Sequence, residues 1–226
     1  SISAGNVRSN PVFELIELLK KVRQRYRRVI FIDNNIYNDP AYAREFFKAL
    51  KPLKLKWYSP CTIDIAKNEE TLRLAKESGC EMLIMGYEVF DEPPVQERGG
   101  KLAMVTKYLE YTKRIRDAGI RIRATFIFGW DHQNLRSVWE WAKFCLKVKP
   151  FLTVPFLLTP FPGTSLFEDM LRQKRIINLN WKKYNQWHFV INHPYFNSTL
   201  WERFYPILGV FSYTFLSRIG YLLTIF

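Results

Sequence analysis

Amphipathic stretches and short apolar runs alternate along this chain from Pro11 to Lys174, and nothing else in the sequence constrains the fold as tightly. From Pro11 to Tyr26, Val12, Leu15, Ile16, Leu19 and Val22 fall at helical spacing, with Lys20, Lys21, Arg23 and Arg25 between them. Pro11 suits a first turn entered from Asn10 as the cap. Arg28 to Asp33 is a short apolar run that reads as a buried strand. The pattern then repeats. Helices are predicted over Pro40 to Leu50, Asn68 to Ser78, Lys101 to Ala118, Asn134 to Val148 and Ser165 to Lys174. Gly79 and Gly119 follow two of these as stops. Extended segments are predicted at Leu53 to Ile63, Met82 to Glu88, Arg121 to Phe128 and Phe151 to Leu158. Such a β/α repeat gives a parallel sheet covered by helices. The strand count allows a flat doubly wound sheet or part of a barrel, and either places ligands at the carboxyl ends of the strands.

The 226 residues suffice for one domain or a small domain with an appendage. Hydrophobic residues make up 48%, which excludes disorder as the dominant state. Cys61, Cys80 and Cys145 are few and far apart, so no disulfide framework, zinc finger or self-contained iron–sulfur site is encoded by local spacing. The net charge of +13 attracts polyanions. The amino terminus has no apolar core of a signal peptide and no initiator Met, so the chain is expected to begin inside a longer one. After Asn178 the sequence turns aromatic and irregular. It is strongly apolar from Leu200 to Phe226, where Pro206, Gly209, Arg218 and Gly220 interrupt the run. A central Arg costs about 3 kcal/mol in a bilayer, which favours a packing or membrane-surface helix over a spanning one. The division expected is a core at 1–177 and an aromatic extension at 178–226, itself cut short at its end.

The strand ends hold the candidate chemistry: Asp33 to Asn35, Thr62 to Asp64, Gly86 to Glu88, Phe128 to Asp131 and Thr159 to Thr164. Turns use Asp, Asn and Gly anyway. They do not require a carboxylate in strand after strand. His132, His188 and His193 form no metal spacing and read as local hydrogen-bonding residues. Cys61 reads as a small buried residue and Cys80 as core. The basic stretch from Lys20 to Arg28 fits the solvated face of an outer helix at least as well as a nucleic-acid grip.

Taken in order, these segments resemble the radical S-adenosylmethionine enzymes, in particular their cobalamin-binding branch, from Ser1 to about Tyr213. Phe31 to Asn35 resembles the second barrel strand of that family. Trp57 to Asp64, with Leu72 and the Glu77 to Cys80 turn, resembles the third strand and its helix. Gly86-Tyr87-Glu88 resembles the Gly-Ile-Glu ending the fourth, and Ala124 to Gly129 resembles the fifth. The most specific piece is Leu158 to Thr164, followed by Arg175, Trp181 and Tyr184. The wider fifth-strand pattern, Gly-x-Ile-x-Gly-x-x-Glu, is met at Ile127 and Gly129, whereas Thr125 and His132 replace its Gly and Glu. The Cys-x-x-x-Cys-x-x-Cys cluster loop is not in this sequence. In the family it precedes a segment like Ser1 to Arg8, so the cluster ligands are expected upstream.

The resemblance implies a partial, open (β/α) barrel of parallel strands. It implies S-adenosylmethionine as cofactor, a four-iron cluster held outside this chain, and cobalamin through an upstream domain. The intact protein would cleave S-adenosylmethionine reductively for radical-based methylation or rearrangement of a small-molecule or lipid-like substrate, and this chain alone would be inactive. Asp33 and Asn34 would accept from the methionyl ammonium. Glu88, or failing that Asp64, would take the ribose hydroxyls. Ile127, Gly129, Thr159 and Pro160 would wall the adenine. No residue of the chain is assigned to metal, and no catalytic residue is identified. A cytoplasmic, peripherally membrane-associated protein is expected. The alternative from another class is a cluster-free partial barrel acting as a basic module on an anionic membrane surface or, less favoured, on RNA.

Overall fold

The computed structural model describes residues 9–87 and 98–196, the side chains of 98–106 excepted. In chain order the elements are α1 (Val12–Arg25), β1 (Arg28–Ile30), α2 (Pro40–Leu50), β2 (Lys56–Pro60), α3 (Glu69–Glu77), β3 (Cys80–Gly86), α4 (Arg98–Asp117), β4 (Arg121–Phe128), α5 (Leu135–Val148), β5 (Leu152–Leu157) and α6 (Ser165–Arg172). The sheet runs β1-β2-β3-β4-β5, in sequence order. Its strands are parallel, with Val29 opposite Trp57 and Pro60 opposite Ile84. The expected alternation is therefore present, with short 3-10 turns at Lys51–Leu53 and Ile63–Lys67 bounding β2 where one long extended segment was predicted.

Contacts divide the chain into two compact units. The first comprises Val7–Gly86 and Ala103–Ala124, the second Ser1–Asn6, Tyr87–Leu102 and Thr125–Phe226. In the first, α2 buries Ala43, Phe46, Phe47 and Leu50, the one-face spacing of an amphipathic helix. Phe47 stacks on Trp57 of β2 with ring centroids 5.3 Å apart. The Trp57 indole N–H donates to Ser78 Oγ at 3.1 Å, which satisfies the one polar atom of a fully buried ring. In the second unit, Trp141, Phe144, Cys145 and Val148 form the buried stripe of α5. Trp141 meets Phe126 and Phe128 of β4 edge-on. Alternate residues of β2 and β4 thus face the helices. Gly79 makes the turn from α3 into β3 at φ +103°, and a Cβ there would strike the Leu55 carbonyl oxygen, so only glycine fits.

Two local expectations are corrected. Asn10 does not cap α1. Pro11 occupies that position, and its carbonyl accepts from Glu14 N at 3.1 Å and Leu15 N at 3.3 Å, with no side-chain cap. The Arg28 to Asp33 run is not a buried strand. Only Arg28–Ile30 is strand, Ile30 is 58% and Ile32 91% exposed, and β1 lies at the sheet edge with helices against one face. Elsewhere Asn68 and Asn134, predicted as first helical residues, are caps. Asn68 Oδ1 accepts from Thr71 N at 2.9 Å, and Asn134 forms a reciprocal capping box with Ser137. Among the described residues no helix is long and apolar enough to cross a membrane.

Candidate functional site

In the first unit the chain leaves β1 and β2 through loops joined by one side chain. Asn35 Oδ1 accepts from Tyr37 N at 3.1 Å and from Thr62 N at 3.0 Å, while its Nδ2 donates to Thr62 Oγ1 at 3.3 Å. Ile36 N adds a bond to the Pro60 carbonyl at 3.0 Å. Asn35 is thereby committed to structure. Its neighbours Asp33 and Asn34 are exposed and make no side-chain hydrogen bond among the described residues. Asp64 sits in the 3-10 turn after β2 and pairs with Lys67 at 2.9 Å, both more than half exposed. Such a surface pair contributes at most about 1 kcal/mol and yields readily to a better donor. Cys61, just before this turn, is buried with its Sγ 3.3 Å from the Thr62 carbonyl, and burial pushes its thiol up.

In the second unit the ends of β4 and β5 are built differently. Gly129 adopts φ +107°, and a Cβ would lie 3.3 Å from Leu158 Cβ and 3.5 Å from the Phe189 ring. The buried Gln133 side chain accepts from Gly129 N at 2.8 Å and from Trp130 N at 3.2 Å. The Trp130 carbonyl accepts from Gln133 N at 2.8 Å and meets His193 Nε2 at 2.9 Å. His193 Nδ1 accepts from Tyr195 N and Phe196 N at 3.1 and 3.2 Å, which assigns the ring proton to Nε2. Burial, joined by the nearby Arg175 charge, holds this imidazole below its usual value and so neutral. Asp131 receives both arms of Arg175, one at 2.7 Å, and that hydrogen-bonded pairing keeps its carboxyl below the usual range. Arg175 also reaches the Asn192 carbonyl at 3.2 Å.

Ile127 lies half-buried on the sheet face away from the helices, and Pro160 is buried. Thr159 is buried too, and its hydroxyl donates to the Leu157 carbonyl at 3.1 Å. Glu88 lies outside the described residues. The structure therefore brings Asp33, Asn34 and Asp64 to strand ends of the first unit, and Ile127, Gly129, Thr159 and Pro160 to strand ends of the second. Sequence reasoning missed Gln133, and it named Asn35 as a strand-end candidate and Arg175 in the resemblance without their loop and ion-pair roles. An Asn or Gln a few residues beyond a strand is a weak signal for a loop cap. The Asp131–Arg175 pair, 44 residues apart, has no local signal at all. His188, with Asn185, and His193, with Tyr195 N and Phe196 N, make the local hydrogen bonds expected of them, and His193 adds a distant one to the Trp130 carbonyl.

The cysteines do not fit a cluster site. Cys61 follows β2, Cys80 opens β3 and Cys145 lies in α5; all are free and buried, with thiols pushed up by burial. Among the described residues no three His, Cys, Asp or Glu side chains gather where they could hold a metal ion. A cleft of about 360 Å³ opens in the first unit between α3 and the end of α4. Apart from Glu69 its polar lining is already engaged, Arg73 with Glu77, Arg114 with Glu110, Asp117 with Lys113, and Lys76 with the Gly119 carbonyl, and it holds none of the strand-end residues.

Comparison with known proteins adds what geometry alone leaves open. The profile of the radical SAM superfamily matches residues 3–145. The chain is 28% identical over 163 residues to bacteriochlorophyllide d C-12(1)-methyltransferase of Chlorobaculum tepidum, covering 72% of this chain and 35% of that protein. It is 22% identical over 171 residues to bacteriochlorophyllide d C-8(2)-methyltransferase of the same organism, covering 75% and 38%. The chain thus spans little more than a third of the length of these relatives. In fold it resembles the radical S-adenosylmethionine methyltransferase TsrM of Kitasatospora setae, solved with cobalamin and a [4Fe-4S] cluster bound. That likeness has a TM-score of 0.63 at 16% identity, over 73% of this chain and 34% of TsrM. The architecture is that of a partial TIM-like barrel.

Proposed function

This chain belongs to the radical SAM superfamily, and on that premise we propose that it is the S-adenosylmethionine-binding core of a cobalamin-type enzyme that methylates an unactivated carbon of an apolar substrate. The observation that carries the reading is the superfamily match across residues 3–145, from the amino terminus through α5. Relatives named as methyltransferases support the reaction type, and bacteriochlorophyllide in their names supports a large, apolar, acid-bearing substrate. The family's cofactors are S-adenosylmethionine and a [4Fe-4S] cluster. The buried cysteines of this chain do not suit cluster ligation, so that role falls to residues outside it.

S-adenosylmethionine fits what the chain presents. When bound, it supplies the reactive sulfonium. Asp33 and Asn34 are water-facing acceptors with no side-chain hydrogen bond among the described residues, suited to a methionyl ammonium. Asp64 can trade Lys67 for ribose hydroxyls. Gln133 holds the loop at Gly129 so that the end of β4 is set before a ligand arrives. Half-buried Ile127 offers apolar surface for a purine.

Titration of the 226-residue chain with S-adenosylhomocysteine tests the reading. Saturable one-to-one binding with Kd at or below about 1 mM is expected. It should weaken about ten-fold in Asp33→Ala, the loss of one charge-assisted hydrogen bond. A wild-type chain that shows no saturable binding rejects it.

A further inference from the structure

On β4, Ile122 and Ala124 are fully buried toward the helices, so Arg123 lies on the opposite, helix-free face. Its level in the sheet follows from one bond. Tyr87 N donates to the Thr125 carbonyl at 2.8 Å, which in a parallel ladder sets Phe126 opposite Tyr87 and hence Arg123 opposite Ile84. Ile84 in turn pairs with Pro60, the last residue of β2. Arg123 therefore sits level with Pro60, the end of β2, and Ile84, one row below the end of β3 and two rows below that of β4, with Tyr58 and Met82 in the row beneath.

This guanidinium is the anomaly of that face. Its Nε is buried without a hydrogen-bond partner, and no carboxylate or carbonyl among the described residues accepts from the rest of the group. Arg121, two residues earlier on the same face, is provided for: it pairs with Glu81 at 3.5 Å, which Arg28 also approaches at 3.4 Å. An arginine cannot shed its charge, and a neutral apolar residue would suit the Ile84 and Pro60 neighbourhood better. A buried donor left unpaired is a standing cost that a structural role does not explain.

We propose that Arg123 is the anchor for a carboxylate of a molecule bound against the apolar, helix-free face formed by Tyr58, Pro60, Met82 and Ile84. The planar fork of guanidinium donors matches a carboxylate, and the apolar rows suit the hydrophobic body attached to it. The inference rests on the proposed function for what that molecule is. The carboxylate belongs either to the methionyl end of the cofactor or to an acid-bearing apolar substrate.

Four probes separate these sources in the 226-residue chain. S-adenosylhomocysteine carries the methionyl carboxylate and 5′-methylthioadenosine lacks it; protoporphyrin IX carries propionates and its dimethyl ester does not. Arg123→Met keeps the length and apolarity of the stem, and circular dichroism is expected to show a wild-type fold. Arg123→Lys retains charge without the fork and is the second variant. Arg123→Met should weaken one carboxylate-bearing probe at least about ten-fold, as expected for a lost hydrogen-bonded ion pair, and leave its carboxylate-free counterpart unchanged. Arg123→Lys should fall between. Loss for S-adenosylhomocysteine assigns the anchor to the cofactor; loss for protoporphyrin IX assigns it to the substrate. Wild type and Arg123→Met binding both carboxylate probes alike, whether tightly or undetectably, overturns the proposal, as does equal loss for the carboxylate-free partner. Arg123-dependent porphyrin binding without nucleoside binding keeps the anchor and sinks the S-adenosylmethionine reading. Nucleoside binding indifferent to Arg123, with porphyrin binding equally indifferent, does the reverse.

Discussion

The two units finish their strands in opposite ways. In the first, Asp33, Asn34 and Asp64 stand in water at the strand ends, with Asn35 the one side chain tying their loops together. In the second, nearly every polar group at the end of β4 is already engaged: Gly129 and Trp130 amides by Gln133, the Trp130 carbonyl by His193, Asp131 by Arg175. The difference follows from burial. A polar group shut away from water must find a partner in the protein, whereas an exposed one keeps its capacity for a ligand. One set of strand ends offers unspent hydrogen bonds, the other a preset shape.

If that contrast is right, damage should divide between stability and binding. The largest stability loss is expected for Gln133→Leu, which strands the buried Gly129 N–H and the part-buried Trp130 N–H; urea denaturation should show a loss of about 3 kcal/mol. A loss below about 1 kcal/mol would mean the β4 loop is not built on Gln133. Gly129→Ala should cost about 2 kcal/mol, since its φ is +107° and Leu158 and Phe189 crowd the new methyl. Gly163→Ala, at φ +81° with nothing within 4 Å, is the control at about 1 kcal/mol.

A smaller effect depends on pH. Burial holds His193 below its usual 6.5, so the unfolded chain takes up that proton first as pH falls. Stability should be complete above about pH 6.5, decline below it, and level off once pH passes the lowered folded value. His193→Asn should flatten that decline in denaturant midpoints measured between pH 7.5 and 5, and an unchanged slope would place its source elsewhere. Asp131, whose carboxyl is lowered mainly by Arg175, adds a second loss only as pH falls below its ordinary 3.8.

The smallest stability changes belong to the open strand ends. Asp33→Asn and Asp64→Asn should shift unfolding by no more than about 0.5 kcal/mol while lowering affinity for S-adenosylhomocysteine several-fold. Asp33→Asn or Asp64→Asn chains that lose stability yet keep nucleoside binding intact would reverse the comparison.

The sequence by itself determined the succession of elements and their parallel order, because both arise from local regularities. The i, i+3, i+4, i+7 stripe of Ala43, Phe46, Phe47 and Leu50 specifies a helix lying on a core wherever the chain goes, and short strands between such helices pair in parallel. Asp33 and Asp64 could be placed at strand ends on the same grounds. Only the tertiary structure decided which polar groups meet. It gave Asn35 to the loop rather than to a ligand, closed Asp131 on an arginine 44 residues away, made β1 a half-exposed edge, and left Arg123 without a counter-charge among the described residues. Periodicity is written into neighbouring residues, but a hydrogen bond between distant ones depends on where the backbone has brought them. With 34 Lys and Arg in the chain, no spacing rule singles out the one beside Asp131 or the one whose Nε is buried unpaired among the described residues.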